Sequence, residues 1–266
     1  MKRTTSLLLI LGVIFTFSCI KPSQKTNSQG RNEYLTQSVL WYQHSGEMKA
    51  LYYQAYNTAR LMLDIYLKDT KPGRKKAVIV DIDETILNNI VYEAQMILTD
   101  SSNTKSFWKQ WVDSAVADTL PGALEFLKYA RSKGVEVFYI SNRTNADVVS
   151  SLKNLQKFNF PFADEKHMIF KTDISSSKES RRKQVAKDYD IVLLCGDNLG
   201  DFSSAFDDRT EKTLNDSIQT YKSLFGKKFI VLPNPMYGGW EKQIYGEGDF
   251  TDKQRDSLRK GKLKGY

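Results

Sequence analysis

The stretch Ala77-Val78-Ile79-Val80-Asp81-Ile82-Asp83-Glu84-Thr85 decides the fold. Four consecutive apolar residues, three of them β-branched, describe a strand buried on both faces, as in the middle of a parallel sheet covered by helices. The run stops on carboxylates. Ligands of open α/β sheets bind beyond the carboxyl ends of the strands, so chemistry is expected where the apolar run ends.

Working outward, similar runs recur at Val135-Glu136-Val137-Phe138-Tyr139-Ile140, Ile191-Val192-Leu193-Leu194 and Phe229-Ile230-Val231-Leu232, with helical patterns between them, for example Ala123 to Ser132 and Ala146 to Lys157. This alternation predicts an α/β fold with a doubly wound parallel sheet. Upstream, Met48, Leu51, Ala55, Ala59, Met62 and Ile65 recur every three or four positions, which predicts a long amphipathic helix or helix pair from Glu33 to about Lys68, closed by Lys71-Pro72-Gly73. Between the first and second strands, Asn88 to Lys133 is longer than one crossover helix needs and contains Phe107-Trp108-Lys109-Gln110-Trp111. A helical insertion is expected there. It should pack with the N-terminal helix and the C-terminal tail as a smaller, mostly α-helical lobe over the sheet's carboxyl edge. The expected core is about 73–95 and 121–234, and the lobe about 32–72, 96–120 and 235–266.

A chain of 266 residues with 41% hydrophobic and 26% charged residues is globular, which excludes disordered, collagenous and many-span membrane classes. The net charge is +8, and removal of Lys2 and Arg3 with a leader would leave +6, too mild a balance for a nucleic-acid polymer as partner. His44 and His167 stand far apart, which argues against a zinc site or a histidine nucleophile. At the amino terminus, Lys2 and Arg3 precede the apolar run Leu7 to Phe15, too short to span a bilayer and the right length for a signal-peptide core. It ends in Thr16-Phe17-Ser18-Cys19, which resembles a bacterial lipobox. The expectation is a signal peptide over 1–18, lipid on Cys19, a flexible tether over 19–31, and one folded domain over 32–266. That implies a lipid anchor to a bacterial envelope membrane, the outer membrane above all. Cys195, left unpaired within an apolar run, reads as an inert buried thiol.

The residues after each strand carry the chemistry. Asp81-Ile82-Asp83-Glu84-Thr85 follows the first, Ser141-Asn142-Arg143-Thr144 the second and Gly196-Asp197-Asn198-Leu199-Gly200-Asp201 the third. Carboxylates converging on one edge need a cation or a lysine to offset their repulsion. An all-oxygen donor set suits a hard cation, and Mg²⁺ typically takes one or two carboxylates and shares a substrate's phosphate. Asp81 and Asp197 are candidate ligands. The Ser141 hydroxyl, the Asn142 backbone N–H and Lys178, in Ser175-Ser176-Ser177-Lys178-Glu179-Ser180, are the candidates for holding the phosphate.

Asp81-Ile82-Asp83-Glu84-Thr85 resembles motif I of the haloacid dehalogenase superfamily, and Ser141, Lys178 and Gly196-Asp197-Asn198-Leu199-Gly200-Asp201 resemble its motifs II, III and IV. With the lipoprotein-like leader and Tyr237-Gly238-Gly239-Trp240-Glu241, the chain is similar, from about Gln43 to about Tyr245, to the bacterial class C, or four-aspartate, acid phosphatases. One departure is Asn88-Asn89, where at least one acidic residue is expected. The resemblance implies a haloacid dehalogenase-like core and hydrolysis of phosphate monoesters, with a 5'-nucleotidase preference for nucleoside monophosphates in view. It implies Asp81 as nucleophile forming an aspartyl-phosphate, Asp83 as acid and base, and Lys178 neutralising the phosphoryl group. Mg²⁺ would be held by Asp81, the Asp83 carbonyl and Asp197, with Asp201 supporting the site and orienting Lys178. Thr85 either fixes the motif-I loop or caps a helix. Trp108, Tyr237 and Trp240, with Tyr92 and Trp111, are candidates for stacking a base, or else pack the lobe. Arg143, Arg181 and Arg182 read as surface charges. Phosphotransfer to an alcohol, a non-catalytic surface binding protein on the same fold, and a homodimer remain open on the sequence.

Overall fold

The computed structural model describes residues 31–69, 73–101, 105–172, 175–246 and 248–266. The leader, Cys19, nearly all of the tether, and Lys71-Pro72 lie outside the described residues. Helices α1 (Thr36–His44) and α2 (Gly46–Asp69) come first, followed by strands β1 (Lys75–Val80) and β2 (Leu87–Asn88). Next come α3 (Ile90–Leu98), α4 (Lys105–Ser114), β3 (Asp118–Thr119), α5 (Ala123–Ser132), β4 (Glu136–Thr144), α6 (Val148–Lys157) and β5 (Met168–Lys171). The chain continues through α7 (Glu179–Ala186), β6 (Tyr189–Gly196), α8 (Glu211–Tyr221), β7 (Phe229–Val231), α9 (Glu241–Tyr245) and α10 (Asp252–Lys262).

The sheet order is β5-β4-β1-β6-β7, and every pairing is parallel. The chain winds outward on one side through β4 and β5, then returns to the other side of β1 through β6 and β7. The expected doubly wound sheet is therefore present, with its topological switch at β1. Both faces of β1 are covered, as its unbroken apolar run requires. Val78 and Val80 point into a layer shared with α2, α5 and α6, whereas Ala77 and Ile79 point into the layer of α7 and α8. Cys195 lies in the first layer, where burial pushes its thiol well up. β5 escaped the sequence reading because it is a four-residue edge strand with only two residues buried. The ribbon of β2 and β3 is shorter than any periodicity can register.

The expected helix pair is α1 and α2. Ser45 breaks them apart in an extended conformation, and its Oγ accepts from Met48 N at 3.0 Å, capping α2. α2 departs from the sequence reading in its buried face, since Leu51 and Ile65 are exposed and Tyr52, Tyr56 and Leu63 are buried beside Met48 and Ala59, and also in its place. It does not stand in a separate lobe but lies on the sheet, where Tyr52, Tyr56, Ala59 and Leu63 belong to the principal core cluster. Full burial of each large side chain is worth about 1.5–3 kcal/mol, so α2 is an integral layer. The contact is tight enough to select a glycine: a Cβ on Gly122, at φ +80°, would meet Tyr56 Cβ at 3.2 Å. α1 packs on α3, and α9 on α10. Arg31 N donates to Asp100 at 2.6 Å and its guanidinium meets Asp252 at 2.8 Å, tying the start of the domain to the C-terminal helix.

Candidate active site

β1 and β6 end side by side, so Asp81, Asp197 and Asp201 converge at the switch point, with carboxylate oxygens within 4.8 Å of one another. Gly196 makes this convergence feasible, because a Cβ there would meet the Asp201 carboxylate at 2.3 Å. Lys178, immediately before α7, reaches in and donates to Asp81 Oδ1 at 2.5 Å and to Asp201 Oδ1 at 2.6 Å. The other oxygen of Asp201 accepts from Asn198 N at 2.9 Å, which fixes the carboxylate that holds the lysine.

Asp81, Lys178 and Asp201 are buried and Asp197 is half-buried. Burial raises Asp81 to about 7, against the opposing pull of Lys178 and with further lift from Asp201 and Asp83. Burial, then Asp201 and Asp81, hold Asp197 well above the usual carboxylate range. Lys178 is raised, because Asp201 and Asp81 outweigh the burial that works against its charge. One ammonium among three carboxylates leaves a surplus of negative charge, and the donors are all oxygen. The donor set fits a hard divalent cation.

The loop after β1 is supported from beneath. Tyr52 OH donates to the Glu84 carbonyl and pairs with Tyr42 OH, and Tyr56 OH donates to the Thr85 carbonyl at 2.7 Å. The loop needs holding, because Glu84 sits at φ +51°, where side chains with a Cβ are strained. Its carboxyl, fully buried and raised by burial and then by Asp83, accepts from Asn89 N at 2.9 Å. Thr85 donates to Asp197 Oδ1 at 3.3 Å, and the next helix begins only at Ile90.

A cavity of about 1070 Å³ opens over the cluster, lined by Asp81, Asp83, Ser141, Asn142, Lys178, Asp197 and Asp201 at its floor. The expected site residues are thus brought together. Trp108 and Tyr237 line the cavity farther out, beside Glu93, which burial and then Glu241 raise to about 7. Trp240 is outside the lining and donates to Tyr237 O at 3.1 Å. Trp111 donates to Asn89 Oδ1 at 2.7 Å, a packing role.

The arginines correct the sequence reading. Arg143, Arg181 and Arg182 are buried, with 4%, 8% and 5% exposure. Arg181 donates to the Ser141 carbonyl and to Asn142 Oδ1, Arg182 donates to Gly200 O at 2.7 Å, and Arg143 pairs with Asp83. Arg143 thereby fastens the loop after β1, Arg181 the C-terminal end of β4 and Arg182 the loop after β6. Asn234 was also missed: it donates to Asp197 Oδ2 at 2.9 Å and accepts from Met236 N and Tyr237 N, linking the carboxylate cluster to the segment that carries Tyr237. Its position between Pro233 and Pro235 was the only signal available.

Residues 19–240 match the family described as HAD superfamily, subfamily IIIB (acid phosphatase). The class C acid phosphatase from Bacillus anthracis is similar in structure, with TM-score 0.84 at 40% identity over 89% of this chain and 99% of that one. A structure of the same Bacillus phosphatase with tungstate bound gives TM-score 0.82 at 40% identity over 88% and 98% of the two chains. Among more distant relatives, acid phosphatase 1 of Solanum lycopersicum is 26% identical over 60% of this chain and 57% of its own length. A stem 31 kDa glycoprotein of Glycine max is 25% identical over 73% and 67%. With a matching family over most of its length and this structural likeness, the chain belongs to the haloacid dehalogenase superfamily acid phosphatases of subfamily IIIB and is a phosphoric monoester hydrolase of the class C type.

Proposed function

We propose that this acid phosphatase is Mg²⁺-dependent, works through an aspartyl-phosphate on Asp81, and takes nucleoside monophosphates among its substrates. The observation that carries the reading is the convergence of Asp81, Asp197, Asp201 and Lys178 at the switch point. Asp81, the Asp83 carbonyl and Asp197 would hold the cation, with Asp201 beside them. When bound, Mg²⁺ supplies charge neutralisation for the phosphoryl oxygens.

The chain's own groups carry the steps. An Asp81 oxygen attacks phosphorus in line, the ester P–O bond breaks, and Asp83 gives a proton to the departing alkoxide. Asp83 then takes a proton from water, whose oxygen attacks the phosphorus; the acyl-phosphate P–O bond breaks and the Asp81 carboxylate is regenerated with release of phosphate. Lys178, fixed by Asp201, faces the transferring group with a charge already in place. Ser141 offers its hydroxyl at the cavity floor, and the Asn142 N–H is assigned to the same phosphate. Tungstate, which the Bacillus phosphatase binds, is a tetrahedral oxyanion of the kind this floor suits.

The nucleotide preference rests on Trp108 and Tyr237 in the wall of a cavity far larger than a phosphate. Lipidation of Cys19 and an envelope location belong to the same reading and rest on the leader sequence alone. Phosphate release from nucleoside monophosphates, glycerol phosphate and p-nitrophenyl phosphate, with EDTA and after adding Mg²⁺, tests it. The expected result is a rate abolished by EDTA and by Asp81→Asn, restored to the wild type by Mg²⁺, and highest kcat/KM for the nucleotides. Undiminished turnover in EDTA, or in the folded Asp81→Asn protein, would refute it.

A further inference from the structure

Asp83 is not left to itself in the cavity wall. From the end of β4, Arg143 donates through Nη2 to Asp83 Oδ1 at 2.7 Å and through Nε to both carboxylate oxygens at 3.1 Å, and its Nη1 is anchored on Ser151 Oγ at 2.8 Å. Asn89 Nδ2 donates to the same Asp83 oxygen, Oδ1, at 2.9 Å. Asn89 is itself fixed by Glu84, which accepts from its backbone N and from Nδ2 at 2.9 and 3.2 Å, and by Trp111, which donates to its Oδ1. Trp108, three residues before Trp111 on α4, lies over the guanidinium with 5.6 Å from Cζ to the ring centroid. The insertion thus reaches the acid/base through two tryptophans, one holding Asn89 and the other covering Arg143.

A buried ion pair is weak evidence for stability, since desolvation offsets most of the attraction. A planar fork on a carboxylate does something a point charge cannot: it fixes the carboxylate plane. Proton transfer depends on that placement, and a misplacement of about 1 Å can cost about 100-fold. We propose that Arg143 is the positioning residue of Asp83, orienting its carboxylate toward the leaving oxygen. The proposal rests on the reading of Asp83 as acid and base.

The test measures alcohol release in the first turnover, before hydrolysis of the phospho-enzyme limits the rate, from glycerol phosphate and from p-nitrophenyl phosphate. Glycerolate needs a proton to leave, whereas p-nitrophenolate needs little. General acid catalysis typically contributes about 10²–10⁴-fold, so in Arg143→Ala the glycerol phosphate rate should fall at least about tenfold further than the nitrophenyl rate. Arg143→Lys, which keeps the charge without the fork, should show the same discrimination. Guanidinium at low millimolar concentration should restore glycerol phosphate turnover to Arg143→Ala and leave the wild type unaffected. Asp83→Asn is the reference for full loss of the acid.

Equal losses on the two substrates in folded Arg143 variants, or full glycerol phosphate activity in Arg143→Lys, would overturn the proposal. If Asp83→Asn discriminates between leaving groups and the Arg143 variants do not, positioning alone fails. If Asp83→Asn does not discriminate, the acid/base reading falls and the proposal with it. Where Arg143→Ala does not fold, Arg143→Lys decides.

Discussion

Raising the pH of the metal-free protein should destabilise it, and Asp81 sets the size of the effect. Burial lifts this carboxyl from 3.8 to about 7 even with Lys178 beside it. A carboxyl that holds its proton more tightly when folded contributes stability that is fully present below about pH 4 and is lost as pH rises through about 7. The whole shift corresponds to about 4 kcal/mol, and about 2.5 kcal/mol of it should disappear between pH 5 and 8. Asp197 and Glu93, both raised chiefly by burial, act in the same direction. Glu136 is drawn down to about 2, because hydrogen bonds from Tyr189, His167 and Lys166 outweigh its burial. Its contribution is lost only below about pH 4.5, outside this window. The measurement is urea unfolding in EDTA at pH 5, 6, 7 and 8 for the wild type and Asp81→Asn, whose amide cannot titrate. The stability of the wild type relative to the variant should fall by about 2.5 kcal/mol across the series, and Mg²⁺ should stabilise the wild type more at pH 8 than at pH 5, because it competes with the proton. A difference that stays flat, or grows in the wild type's favour as pH rises, would refute the claim that burial governs this carboxylate.

Tyr52→Phe removes the donor to the Glu84 carbonyl from a fully buried site; a loss of about 1–3 kcal/mol in unfolding free energy is expected, with a lower kcat, and an unchanged kcat would show that the loop holds its strained turn unaided. Tyr237→Ala should reduce kcat/KM for a nucleoside monophosphate by roughly 5-fold to 150-fold, since stacking a base is worth about 1–3 kcal/mol, while glycerol phosphate loses little. Trp108→Ala should slow both substrates, because it also uncovers Arg143; selective loss on the nucleotide would confine Trp108 to stacking, and no loss on either would remove it from the site. Cys19→Ser should move the protein made in its native host from the detergent-extracted membrane fraction to a soluble or unprocessed form, and wild-type protein recovered soluble without lipid mass would end the lipoprotein reading.

By itself the sequence determined the parts of this protein governed by local chemistry. Val78, Ile79 and Val80 are apolar without alternation because both sheet faces are covered, and that requirement is written into consecutive residues. The carboxylates follow the apolar runs directly, so Asp81, Asp83, Asp197 and Asp201 were legible as one site once the strands were known to be parallel. Lys178 was legible because the surplus of negative charge requires a cation and its position opens the helix before β6.

Only the tertiary structure decided the partners. An arginine after a strand has the same local signature whether it faces water or a carboxylate sixty positions away, so Arg143 read as surface and proved 4% exposed against Asp83. The tyrosines of α2 stand outside the helical face read from the sequence, of which Leu51 and Ile65 are exposed; that the Tyr52 and Tyr56 hydroxyls meet the carbonyls of Glu84 and Thr85 depends on how α2 crosses the sheet. Trp108 and Trp111 differ by one helical turn, yet one lines the cavity and the other bonds Asn89. Periodicity records whether a side chain is buried. Which group it meets is fixed by the approach of elements distant in the chain, and that is set when the layers pack.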